Sequence, residues 1–228
     1  MFKRKAALET FKNHLHYRKW VYLAIAVFGF FACDLAYTMT EYRPPSERKV
    51  DFQLVQAGYM DTQALEPIAA KALAEVQIVD PTLEAVSLYS ISYSGDSAKD
   101  MYGAQKYVVM VAAREGAVWV LPHALFEQLY LQGGLLPLDD YVAQGLFPVG
   151  QADLSRYTRP ESMGETDEAG VPLAPSGPER LYALPATLMP GLARFGYAVE
   201  DACVVMMGYC ANPETSARVL GSVMRQLP

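Results

Sequence analysis

Residues 117–121 read AVWVL, and this short stretch is apolar at every position. A continuous apolar run of this length is typical of a strand that is buried on both faces, as in a parallel sheet. Pro122 follows at once and can occupy the first position of a helix, which the glycine pair Gly133-Gly134 would end near Leu131. A buried strand that passes directly into a helix indicates an α/β fold.

The residues before this stretch repeat the same strand-and-helix unit twice. Val50–Val55 (VDFQLV) alternates in polarity and predicts a strand, and Ala85–Tyr93 (AVSLYSISY) predicts another. Between them, Asp61 or Thr62 can cap a helix that runs to about Glu75. We predict that its inward face consists of Leu65, Ile68, Ala69, Ala72 and Leu73.

A second helix is predicted between residue 94 and about Arg114, opened by the turn Ser94-Gly95-Asp96-Ser97 and ended by Glu115-Gly116. Its predicted inward face is Met101, Gln105, Val108, Val109 and Ala112. Strands that alternate with helices predict a three-layer α/β domain, a parallel or mixed sheet flanked by helices.

The C-terminal third contains fewer regular elements. Residues 150–180 are rich in Gly, Pro, Ser and acidic residues and predict a long loop. Leu181–Leu184 and Ala202–Met207 are candidate strands. Asn212-Pro213-Glu214 combines a capping residue, a proline and an acid, as at the start of a helix.

An apolar segment near the N-terminus predicts one transmembrane helix. Trp20–Tyr37 (WVYLAIAVFGFFACDLAY) would span about 27 Å as a helix. We assign residues 1–19 to a cytoplasmic basic tail, 20–40 to the membrane, 41–49 to a linker and 50–228 to an extracytoplasmic domain. A cleaved signal peptide, or a lipid anchor at Cys33, are the alternatives, and both place the domain on the same side.

Charge is distributed unevenly along the chain. Residues 1–19 carry six basic side chains and one acidic side chain, which predicts that this end stays in the cytoplasm of a single-pass protein of the cell membrane. Residues 41–228 carry 13 basic and 23 acidic side chains, a net charge of −10. An acidic domain repels phosphate backbones, so nucleic-acid binding is not expected.

Three short motifs resemble the extracellular solute-binding proteins of bacterial ABC importers, which have the type 2 periplasmic binding fold. They are Gly134–Tyr141 (GLLPLDDY), Leu181–Pro185 (LYALP) and Asn212–Ala217 (NPETSA). Solute-binding proteins have two lobes, whereas only about 40 residues separate Tyr141 from Leu181 here, so the resemblance covers a single lobe. It implies a bacterial, non-catalytic binding module and no known activity.

In open α/β sheets, ligands bind beyond the carboxyl ends of the strands. Six residues at the ends of the predicted strands form the candidate ligand site: Tyr59, Asp61, Ser94, Asp96, Ser97 and His123. The turn at residues 94–97 can present backbone amides to an anion, although turn and capping roles explain the same residues.

Signatures of enzymes and metal sites are absent from the sequence. It contains no GxSxG, P-loop, GxGxxG or HExxH motif, and its histidines and cysteines lack the spacing of metal ligands. We therefore expect no enzymatic activity and no cofactor. The predicted function is a membrane-anchored module that binds a small molecule or peptide. The alternative is a structural or accessory subunit that contacts another membrane or envelope protein; a hydrolase would need a nucleophile near His123.

Overall fold

The computed structural model describes residues 2–42, 44–58, 60–162 and 176–228. The chain divides into two units, residues 1–43 and residues 44–228. The first unit contains the helix α1 (Phe2–Thr40), of which Lys19–Thr40 is long and apolar enough to cross a membrane. This span begins one residue before the predicted segment and ends at the predicted residue.

The second unit is an α/β domain, as predicted. Its strands are β1 (Lys49–Gln56), β2 (Ala85–Ser92), β3 (Val118–Pro122), β4 (Thr158–Ser162), β5 (Ser176–Leu181), β6 (Ala183–Pro185) and β7 (Ala202–Met206). Its helices are α2 (Glu66–Gln77), α3 (Met101–Ala112), α4 (His123–Leu131), α5 (Asp139–Ala143) and α6 (Pro213–Gln226). Five strands form one mixed sheet in the order β2-β1-β3-β7-β6, and β4 pairs with β5.

The sheet order explains how the helices are arranged. β1 is parallel to both β2 and β3, while β7 is antiparallel to β3 and β6. The connections from β1 to β2 and from β2 to β3 cross the sheet in opposite directions. Because such crossovers are right-handed, α2 and α3 lie on opposite faces. The confirmed fold class is thus a mixed sheet flanked by helices.

The core is centred on the three middle strands. Every residue of β7 is buried, and so are Val118–Leu121 of β3, as the apolar run predicts. On the α2 face, α6 packs against α2, where Ser222 Oγ bonds Glu75 (2.6 Å) and Thr215 Oγ1 bonds Asp80 (2.5 Å). On the α3 face, the ring of Tyr107 packs edge-on against Trp119.

The predicted inward face of α3 is wrong. Met101, Val108 and Val109 are exposed, and the buried residues of the helix are Gly103 and Tyr107. Tyr107 fills the space between Tyr93 and Trp119, with ring centroids 5.5 and 5.6 Å away, and Gly103 lies against the carbonyl of Ser92. The helix therefore docks through an aromatic ring and a glycine, with Ala104, Met110 and Val111 partly buried beside them, and the predicted inward row faces outward.

Two boundaries also differ from the sequence prediction. Asp100 caps α3 by accepting a hydrogen bond from the Gly103 amide (2.8 Å), so the helix begins after the turn at residues 94–97. The predicted loop at 150–180 includes the paired strands β4 and β5, with residues 163–175 outside the described residues. Tyr130, whose hydroxyl donates to the carbonyl of Pro160 (2.6 Å), joins this pair to α4.

Candidate interaction surface

Part of the crevice where the sequence places a ligand, the carboxyl end of β1, is covered by the protein itself. Tyr197 is almost fully buried, and its hydroxyl donates a hydrogen bond to the Val55 carbonyl near the end of β1 (2.9 Å). Beside it, Gln56 donates to the Gly196 carbonyl (2.9 Å) and accepts from the Ala198 amide (3.0 Å). The loop at residues 196–198 therefore seals the carboxyl end of β1, and burial raises the pKa of the Tyr197 hydroxyl.

The predicted site residues make local turn contacts. Asp61 accepts a hydrogen bond from the Ala64 amide (3.3 Å) and caps the turn that leads into α2. Asp96 accepts from the Ala98 amide (3.0 Å) and lies 3.1 Å from Lys99, and the Ser94 hydroxyl accepts from the Asp96 amide (3.4 Å). Ser97 is exposed in the same turn, and Tyr59 lies outside the described residues. The structure thus groups Ser94, Asp96 and Ser97 in one turn.

His123 lies in a different environment, among aromatic and charged side chains. Its ring contacts Phe126 and Tyr157, with centroids 5.5 and 5.8 Å away. Burial, and then the charge of Arg156, lower the pKa of the imidazole. Its Nε2 is 3.7 Å from the Glu127 carboxylate, which pairs with Arg159. In the part of the chain that the structure describes, His123 Nε2 is buried and has no hydrogen-bond partner.

A polar cavity of about 470 Å³ lies at the opposite end of the parallel strands, where no site is predicted from the sequence. Lys49 lines this cavity, and its Nζ lies 2.7 Å from the Asp51 carboxylate and 3.7 Å from the Glu115 carboxylate. The bond to Asp51 raises the pKa of Lys49. These charges compensate one another within the protein. Among the described residues, no three acidic, histidine or cysteine side chains form a group that could hold a metal.

The most unusual surface of the domain is the outer side of α3. The residues predicted to face inward form an exposed row, here called the α3 stripe: Met101, Gln105, Val108, Val109 and Ala112. Met101 is 80% exposed, and the two valines are 59% and 57% exposed. Single exposed apolar residues are common, whereas large contiguous apolar patches are typical of interaction sites. The row is the one that the apolar periodicity selects, but it faces outward.

The second unusual surface is the free side of the outermost strand, here called the β2 edge. Among the described residues β2 pairs only with β1, so its other side carries backbone groups without a strand partner. Lys106 of α3 donates to the outward carbonyl of Ser90 (3.1 Å). Exposed sheet edges favour pairing with another strand, and a lysine placed on an edge limits such pairing.

Two grooves flank the β2 edge, one on each face of the sheet. The α2 groove, about 490 Å³, has walls that include Ala69, Ala70 and Leu73 of α2 and residues 84–89. The α3 groove, about 480 Å³, is lined by Ser90, Ser92, Tyr102, Lys106 and three other residues. Tyr102 is 79% exposed beside the edge.

No family model matches the sequence, and no match is found among curated proteins.

Proposed function

We propose that this chain is a single-pass membrane protein whose α/β domain docks onto another membrane or envelope protein through the α3 stripe. The observation that carries the proposal is the exposure of Met101, Val108 and Val109 along one face of a helix. An acidic domain held at a membrane gains little from exposing such a row unless another molecule covers it.

The proposed orientation rests on charge around the apolar span. The basic residues before residue 20 favour a cytoplasmic N-terminus, and the span Lys19–Thr40 is long enough to cross the bilayer. The domain at residues 44–228 would then lie outside the cytoplasm.

The partner surface that fits the α3 stripe is the apolar face of an amphipathic helix. Met101, Gln105, Val108 and Ala112 recur every three or four residues, the spacing that packs into the grooves of a second helix. Burial of each aliphatic side chain contributes about 1.5–3 kcal/mol in favour of docking before the cost of association.

Solute binding is the weaker proposal for this domain. Tyr197 and the loop at 196–198 cover the end of β1. The cavity that stays open at the strand ends, the α3 groove, is lined by none of the predicted site residues that the structure describes. The α/β class is shared with solute-binding proteins, but nothing in the fold is specific to that family.

Native electrophoresis of membranes from cells that express the full chain tests the docking proposal. We expect the unmodified chain to migrate in a complex larger than the chain alone or its self-assemblies. The Val108→Glu variant should be absent from that complex. The matched control is Ile78→Glu, because Ile78 is equally apolar and 83% exposed but lies outside the stripe. Release by both variants, or by neither, would contradict docking through α3.

Cysteine labelling tests the orientation independently. In a background that carries Cys33→Ser and Cys210→Ser, which leaves only the buried Cys203, an impermeant maleimide should label Ser97→Cys in intact cells, because Ser97 is exposed in the domain. Lys12→Cys should react only after the membrane is opened. Labelling of Lys12→Cys in intact cells would reverse the proposed topology.

A further inference from the structure

The β2 edge has a defined length, set by backbone alternation. The Tyr93 amide bonds the Gln56 carbonyl of β1 (2.8 Å), so odd-numbered residues of β2 direct their backbone groups toward β1. Even-numbered residues direct theirs outward, as the bond from Lys106 to the Ser90 carbonyl also indicates. On the N-terminal side of Ser90, the backbone groups of β2 that point outward belong to Val86 and Leu88. They offer two amides and two carbonyls to an incoming strand.

The C-terminal part of the edge is already occupied. Lys106 bonds the carbonyl of Ser90, and α3 approaches the Ser92 carbonyl so closely that a Cβ on Gly103 would lie 2.0 Å from it. A strand that pairs with β2 is thereby confined to residues 85–89. Few partner strands match so short an opening in more than one register.

We propose that two copies of this chain associate by antiparallel pairing of their β2 edges, with the two-fold axis at Ser87. In this register Val86 of each copy faces Leu88 of the other, and all four outward backbone groups of each strand are bonded. A register centred on Leu88 would instead require Ser90, whose carbonyl Lys106 holds. A register centred on Val86 would require Glu84, whose amide already bonds the Arg48 carbonyl (2.7 Å). Lys106 and Glu84 together select the register, and the two five-stranded sheets join into one sheet of ten strands.

The grooves beside the edge are suited to a second copy. A two-fold axis perpendicular to the sheet keeps like faces together, so α2 of one copy meets α2 of the other. The small side chains Ala69 and Ala70 on the wall of the α2 groove allow two helices to approach closely. On the other face, pairing covers Tyr89 and Tyr102, which are 49% and 79% exposed.

The charge distribution also favours association through the β2 edge. The domain and linker carry a net charge of −10, so two copies repel one another over most of their surface. Residues 85–92 (AVSLYSIS) contain no charged side chain. The β2 edge is therefore a face through which two acidic domains can approach, and a two-fold contact closes both edges at once.

Disulfide cross-linking of the full chain tests the register. In a Cys33→Ser background, Ser87→Cys should form a covalent dimer under mild oxidation in membranes, because the two Cα atoms at the axis would be about 4.5 Å apart. The matched control is Tyr89→Cys, whose copies would be about 14 Å apart in this register. We expect most chains to cross-link at residue 87 and fewer than about one in ten at residue 89. Equal cross-linking at both positions, or none at residue 87, would overturn the proposal.

The mass of the detergent-solubilised chain, measured by light scattering, supplies a second test. We expect the unmodified chain to have the mass of two copies, and Leu88→Pro that of one, because proline removes an outward amide that β1 does not use. A dimer that survives Leu88→Pro, or a monomeric unmodified chain, would contradict edge pairing. If Leu88→Pro fails to fold, the difference in cross-linking between Ser87→Cys and Tyr89→Cys still tests edge pairing.

The two proposals fail separately. Val108→Glu should leave the Ser87→Cys cross-link intact, because the α3 stripe is not part of the paired edge. Loss of the cross-link in Val108→Glu would mean that the stripe belongs to the same interface, and would overturn the edge register proposed here.

Discussion

The helices α2 and α3 have the same length and occupy equivalent positions after neighbouring strands, yet they use their apolar faces in opposite ways. Each has 12 residues. α2 buries Ala69 and Ala72, as its periodicity predicts, and also Val76, whereas α3 leaves Val108 and Val109 exposed. Apolar periodicity alone therefore does not determine which face of a helix the sheet buries.

The difference follows from how each helix is attached to the sheet. α2 packs against α6, which bonds Glu75 of α2 and Asp80 just after it. α3 is held on the sheet by Gly103 and the Tyr107 ring, with Ala104, Met110 and Val111 partly buried beside them. The row on the outer face of α3 therefore stays exposed.

The largest expected effect is a charge placed in the buried face of α2. Ala72 is fully buried, so Ala72→Asp should lower the free energy of unfolding by about 4 kcal/mol or more, because an unpaired carboxylate loses its hydration. Urea unfolding of the full chain in detergent, followed by near-UV circular dichroism, measures this change. Ala74→Asp, on the exposed side of the same helix, is the control and should change little. Equal losses would mean that α2 does not bury the face described.

The next effect tests how closely α3 approaches β2. A methyl group at residue 103 would lie 2.0 Å from the Ser92 carbonyl oxygen, so Gly103→Ala should cost about 1–3 kcal/mol of unfolding free energy. At a solvent-facing position of a helix, the same substitution would instead raise the unfolding free energy, by at most about 1 kcal/mol. The sign of the change in unfolding free energy, measured in the same urea experiment, therefore distinguishes a docked glycine from an exposed one. Gln105→Ala, on the exposed stripe, controls for helix propensity.

The elements that sequence predicts well are those whose signal is local. The buried strand at residues 118–121 follows from four consecutive apolar side chains. The start of α6 follows from Asn212, whose side chain accepts a hydrogen bond from the Thr215 amide (3.3 Å) as a helix cap does. Neither inference needs knowledge of the remaining chain.

The elements that sequence misses depend on distant residues. The inward face of α3 is decided by Trp119, which belongs to the next strand and packs on Tyr107. The carboxyl end of β1 is covered by Tyr197, which bonds a carbonyl 142 residues earlier. The strand pair in the predicted loop depends on Tyr130 of α4. Periodicity within one segment carries no information about such partners.

A smaller effect tests the attachment of α2 to α6 through pH. The hydroxyls of Thr215 and then Thr82 lower the pKa of Asp80 below its ordinary value of 3.8. The folded state therefore binds this proton less readily than the unfolded state, so the stabilisation is present above pH 3.8 and is lost as pH falls through the lowered pKa. Thr215→Val should cost about 1 kcal/mol at pH 7.

The pH profile separates this bond from simple packing. Unfolding measured at pH 7, 5 and 3 should show a smaller loss on acidification in Thr215→Val than in the unmodified chain. Parallel profiles would mean that Thr215 stabilises the α2–α6 contact through its methyl group alone.

The smallest expected change in stability is that of a substitution in the α3 stripe, and it tests whether α3 differs from α2 as described. Val108→Glu should change the free energy of unfolding by less than about 0.5 kcal/mol, because the valine is 59% exposed and contributes little to the core. If the same variant abolishes the native complex while Ile78→Glu retains it, then the row of apolar residues on α3 serves association rather than folding. A loss of stability above about 1 kcal/mol would instead place Val108 in an intramolecular contact, and α3 would then resemble α2.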